Sequence, residues 1–165
     1  MELNNKTSPR KGAFSESLKY TTMNINDYLI YGFKFEQEDL GFSVLPGEEL
    51  HYGATQGDSY DEAYDMAQWF VRDVADSRFR DMDFMPKALP LTEGMVAVNI
   101  GVDSALKIML RNVMVETRTK QVKLAKLMNI KPQAVTNILT FDKGTKIETL
   151  YHAFAVMGKP LQIGC

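Results

Sequence analysis

The chain has almost no cysteine: the one thiol among its 165 residues is Cys165. That excludes an intramolecular disulfide framework and a cysteine-built zinc site, and a reducing, cytoplasmic setting is expected. Long apolar runs are missing as well, since no stretch approaches the ~20 apolar residues that a membrane-spanning helix needs. The opening MELNNKTSPRKGAFSESLKYTTMNIN is polar and lacks the apolar centre of a signal peptide, so residues 1–26 are expected to form a flexible arm. Histidine is scarce too: His51 and His152 lie in different parts of the chain, and neither has a Cys or Ser nucleophile nearby.

What is present is ordinary in amount, with 45% hydrophobic and 24% charged residues, which argues for a folded chain rather than a disordered one. Its charge is unevenly spread. Residues 1–94 carry 9 Lys and Arg against 17 Asp and Glu, a net of −8, whereas residues 95–165 carry 10 against 4, a net of +6. Such a division suggests two parts with different partners, the basic one facing a polyanion.

Strand chemistry fills DYLIYGFKF, residues 27–35, where aromatic and branched side chains alternate. The polar EQEDLG and a second run, GFSVL, complete a hairpin, and LHYGATQ supplies a third strand after the PGEE turn. The period then changes. Ala63, Met66, Ala67, Phe70, Val71 and Val74 recur at spacings of three and four, predicting a helix capped by Asp58 or Ser59, with Asp61 and Glu62 at its positive end. Three antiparallel strands and a helix over one face make an α+β unit. MPKALPLTE is expected to run extended, and MVAVNI to form a fourth strand that pairs with the sheet or with a second copy.

A domain boundary is placed between Ile100 and Asp103, dividing the chain into the arm 1–26, a first unit 27–100 and a second unit 101–165. The second unit is helical in period throughout. Val102, Leu106, Met109, Leu110, Val113 and Met114 form one stripe, started by Asp103 or Ser104. A helix from about Thr119 to Met128 ends at Asn129, Pro132 opens another, and a last one runs near Thr145 to Met157 before Gly158 and Pro160.

The middle pair, QVKLAKLMNIKPQAVTNIL, fits a helix-turn-helix of the phage-repressor-like kind. Ala125 is the small residue at the crossing, Asn129 the turn residue that tolerates positive φ, and Leu124, Ile130, Val135 and Ile138 the locking positions. Asn129 stands where such domains most often have glycine. If the second helix of the pair enters the major groove, Gln133, Ala134, Thr136, Asn137 and Thr140 can reach base edges. Gln121, Lys131, Lys143 and Lys146 are better placed for phosphates. Lysines on helices more often merely face water, but the spacing and the +6 charge favour DNA.

Catalysis is not expected. Asp58, Asp61, Glu62 and Asp65 cluster at one helix start, where the dipole explains them, and the strands carry no carboxylate in their middles. Trp69, Phe70, Phe79 and Phe84 are read as core or interface. No cofactor or metal is expected.

Residues 27–164 resemble the HicB family of antitoxins from bacterial type II toxin–antitoxin systems. The likeness rests on the DYLIYGFKF opening, the TQGDSYDEA turn before the helix, the MPKALP connector, the VAVNIGVDSALKIML passage and the carboxy-terminal helix pair. It implies an inactive, partial ribonuclease-H-like first unit that masks a small basic HicA toxin, an RNA-cleaving protein, through contacts within Asp27 to Pro90. It implies a tail that represses its own operon by binding double-stranded operator DNA, from a homodimer or homotetramer. The rival expectation is a stand-alone repressor whose first unit dimerises or senses a ligand; a metal-dependent nuclease using Asp27 or Asp58 ranks last.

Overall fold

A computed structural model describes residues 23–51 and 53–162; the rest of the expected arm, residues 1–22, and Cys165 lie outside the described residues. Residues 27–29 are not strand. They belong to a short helix, α1 (Asn26–Leu29), preceded by Asn24, whose side chain accepts the Asn26 N–H. The reason is tertiary: Met23, Ile25 and Tyr28 turn their apolar groups toward the helical part of the molecule, which a strand through Leu29 would not allow. Strand β1 (Ile30–Glu38) starts later and runs further than the alternation predicts.

β2 (Gly41–Pro46) returns along β1 with Phe33 opposite Pro46 and Glu38 opposite Gly41. The third strand is shorter than expected. Glu48–Leu50 forms a turn of 3-10 helix, His51 adopts φ 57°, and only β3 (Thr55–Gly57) joins the ladder on β2. β4 (Val96–Asn99) pairs with the far side of β1, so the expected fourth strand lies within the sheet. The order is β3-β2-β1-β4, antiparallel throughout.

Helix α2 (Tyr60–Arg80) crosses one face of this sheet. Ser59 is its cap and accepts the Glu62 N–H at 3.2 Å, while the Glu62 carboxylate accepts the Asp58 N–H at 2.9 Å. Ala63, Ala67, Val71 and Ala75, one per turn, are buried against Tyr31, Phe33, Val44 and Val98. Small residues bring the helix close to the sheet. A side chain on Gly57 would put its Cβ 2.3 Å from the Ala63 nitrogen, which is the steric reason for glycine before the helix.

The remaining helices are α3 (Val102–Glu116), α4 (Gln121–Met128), α5 (Pro132–Leu139) and α6 (Ile147–Val156). They enclose a second core of Leu106, Leu110, Leu124, Val135, Leu139 and Phe154. Neither Asp103 nor Ser104 caps α3. Gly101, at φ 86°, begins it, Ser104 is buried, and Val102 is exposed instead of joining the stripe. α3 serves both cores: Met109 and Leu110 face the helices, whereas Ile108 is buried with Tyr31, Val71 and Val98.

Candidate functional site

The turn between α4 and α5 is built from the sequence outward. Asn129 takes the left-handed conformation, φ 55° and ψ 46°; its N–H reaches the Lys126 carbonyl at 3.2 Å and the Ile130 N–H reaches that of Ala125 at 3.0 Å. These paired bonds close the end of α4, and Pro132 opens α5 at a position whose N–H has no helical partner. Leu124, Ala125, Val135 and Ile138 are buried and Ile130 packs on the same cluster, so each locking position does what its spacing predicts.

With that face buried, α5 turns Gln133, Thr136 and Asn137 outward, with Ala134 and Thr140 half-buried beside them. Gln121, the first residue of α4, accepts the Thr136 hydroxyl at 3.1 Å, joining the start of one helix to the middle of the next. Lys143 donates to the Asn137 side-chain oxygen at 3.3 Å. Asn137 thus keeps its amide N–H groups for another acceptor. Lys131 and Lys146, immediately before α5 and α6, and Gln133 are exposed.

Two buried cations that the sequence reading passed over hold this region in place. The Lys107 side chain has no solvent exposure; its Nζ donates to the Thr140 carbonyl at 2.7 Å and to the Lys143 carbonyl, and pairs with Asp103 at 2.8 Å. Asp103 also accepts the Thr145 N–H at 3.1 Å, so one ion pair anchors the loop that follows α5. Arg111 bridges α2 and α5. It donates to the Asp76 carboxylate on α2 and to the Leu139 carbonyl at 2.6 Å, under the rings of Phe79 and Phe141. Burial pushes its pKa down and Asp76 opposes the shift. The signal was present: SALKIMLRNVMV has apolar residues on every side, and charged residues inside such a helix must be paired.

An open cleft of about 490 Å³ separates α2 from the helix pair, lined on one side by Asp76, Phe79 and Arg80 and on the other by Lys120, Gln121 and Thr136. Further along α2, Trp69 is 41% exposed at the centre of the outer face. Asp65 and Asp73 stand one turn away on either side, and the Arg72 guanidinium lies 4.8 Å from the ring. Phe70 belongs to the core, edge-on to Phe33 at 6.0 Å, whereas Phe84 is exposed. Asp27 pairs with Lys87 at 2.8 Å. Among the described residues no helix is long and apolar enough to cross a membrane.

No protein-family model matches the chain. It is similar to Antitoxin HicB 2 of Photorhabdus laumondii, 33% identical over 133 residues that span 81% of this chain and 94% of that protein. It is also similar to Antitoxin HicB 1 of the same organism, 27% identical across 96% of this chain and 97% of the other. With Antitoxin HicB of Escherichia coli K12 it shares 26% identity over 66% of its own length and 79% of the relative's.

Proposed function

The chain belongs to the HicB antitoxin family, and we propose that it binds and neutralises a small RNA-cleaving toxin of the HicA type and represses its own operon by gripping operator DNA. The observation that carries the reading is the likeness to Antitoxin HicB 2 along nearly the whole of that protein. The charge division supports two partners in one chain. The first unit, acidic and with Trp69 exposed among carboxylates, suits a basic protein held within residues 27–90.

The second unit suits DNA. On this reading α4 and α5 form a helix-turn-helix: Gln133 and Asn137 pair with bases, helped by Ala134, Thr136 and Thr140, while Gln121, Lys131, Lys143 and Lys146 meet phosphates. A homodimer would set two copies of α5 about 34 Å apart, matching a palindromic operator. The sheet order, with a hairpin leading into β3 and a helix across it, supports the partial ribonuclease-H-like description of the first unit. Two of its carboxylates have structural roles, Glu62 at the start of α2 and Asp27 against Lys87, which supports a binding rather than a catalytic role.

The test is co-expression with the small gene beside its own, followed by purification of the tagged chain. Growth arrest by the small protein, relieved when this chain binds it, is the expected result. Two proteins that neither associate nor affect each other's growth phenotype would leave a repressor with another partner.

A further inference from the structure

We propose that the cleft between α2 and the helix pair seats a backbone phosphate of bound DNA, with Arg80 of the acidic unit and Lys120 of the basic unit gripping it from opposite walls. The inference rests on the DNA-binding reading and adds to it a contact from the first unit. The cleft brings three cationic side chains, Arg80, Arg111 and Lys120, against one carboxylate, Asp76, which Arg111 already engages. Arg80 and Lys120 are exposed, whereas the Arg111 side chain is 7% exposed and committed to Asp76 and Leu139. The free positive charge therefore sits on the two walls.

Position makes the ligand a phosphate of the strand that α5 reads. Gln121 and Thr136, joined by their hydrogen bond, line the same cleft, so a strand passing Gln121 crosses between Arg80 and Lys120. Arg80 is the last residue of α2. Of the carboxylates near that end, Asp76 is paired with Arg111 and Asp83 with Arg78, which leaves Asp81 next to Arg80, while Asp61, Glu62 and Asp65 stand at the other end of the helix. A cation that neutralises a phosphate releases a counterion, whatever the base sequence.

The experiment uses the full chain carrying Arg80→Ala, Arg80→Lys or Lys120→Ala, with Lys34→Ala on β1 as a control for general loss of charge. Binding is titrated over a range of salt concentrations to a duplex from directly upstream of the chain's own gene and to a random duplex of equal length; melting curves check folding. The expected result is a plot of log affinity against log salt that is shallower by about 1 for Arg80→Ala and for Lys120→Ala, equally on both duplexes. Arg80→Lys should restore the slope and Lys34→Ala should leave it unchanged. An Arg80→Ala slope equal to wild type, or a loss confined to the upstream duplex, overturns the phosphate seat while leaving the helix pair as a DNA binder. A wild-type chain that binds neither duplex overturns both readings at once.

Discussion

Replacing Lys107 by Met tests how α3 holds the loop that carries Lys143 and Lys146. Methionine keeps most of the stem volume and removes every donor. The Thr140 and Lys143 carbonyls then lose the ammonium that they share, and Asp103 loses its partner. Breaking a buried ion pair from one side costs about 3–5 kcal/mol. Asp103, 37% exposed, can be rehydrated, which places the loss at the lower end, about 3 kcal/mol. For a chain of this length that corresponds to a fall in Tm of roughly 6–12 °C. Thermal and urea unfolding of the full chain measure it, and a cycle with Asp103→Asn separates the pair from the carbonyls. If Lys107→Met lost less than about 1 kcal/mol, the carbonyl contacts would be no better than those water makes, and the anchoring argument would fail.

Asn137→Ala should weaken operator binding by about 1–3 kcal/mol at particular base pairs, and Lys131→Ala should weaken binding on all sequences alike; competition with single-site operator variants distinguishes them. Arg118 is exposed and held at φ 52°, so Arg118→Gly should raise stability by about 0.5 kcal/mol once the greater freedom of the unfolded chain is set against the relieved strain, and a lower Tm would contradict this. Tyr31, buried in the sheet, donates to the Pro86 carbonyl at 2.9 Å and fixes the proline-bounded connector; Tyr31→Phe should lose about 1–2 kcal/mol in urea unfolding. The Asp83 carboxylate accepts the Phe84 N–H and pairs with Arg78, which hold its pKa below the ordinary value. That stabilisation is present above the unfolded pKa and is lost as pH falls through the folded one. Stability of Asp83→Asn should therefore depend less on pH below about 4 than that of wild type, and identical profiles would exclude the effect.

Local chemistry was legible in the sequence wherever one segment decides its own conformation. The left-handed Asn129, the proline at the start of α5 and the alternation of β1 and β2 all follow from residues within a few positions. Ends that depend on distant contacts were not. α1 is helical because Met23, Ile25 and Tyr28 pack on helices much later in the chain, and the third strand shortens because His51 and Gly53 take positive φ. The candidate DNA residues show the same division. Which side chains of α5 point outward was readable from period alone, but the pairing of Gln121 with Thr136 and of Lys143 with Asn137 was not. The cleft beside Arg80 depends on how α2 lies against the helix pair, which no local pattern encodes.

α3 explains why a chain with two charge characters is not simply two beads on a string. Val102 and Glu116 bound a helix that turns Ile108 into the sheet core and Leu110, Val113 and Met114 into the helical core, so either half alone would expose one of its faces. Arg111 adds direction to that packing. Hydrophobic contact alone would tolerate small slips of α2 along the helix pair, whereas an arginine bonded to Asp76 and Leu139 and stacked on Phe79 and Phe141 meets these partners in one register only, with its buried Nε left unpaired. Desolvation offsets much of what its pairing contributes, but removing it alone leaves Asp76 and the Leu139 carbonyl without their donor, which is destabilising. What the bridge supplies is a defined distance between the acidic outer face of α2 and the outward face of α5. Arg111→Met should therefore give a folded but less stable chain with faster amide hydrogen exchange where α2 meets α5, and exchange equal to wild type there would refute the register argument.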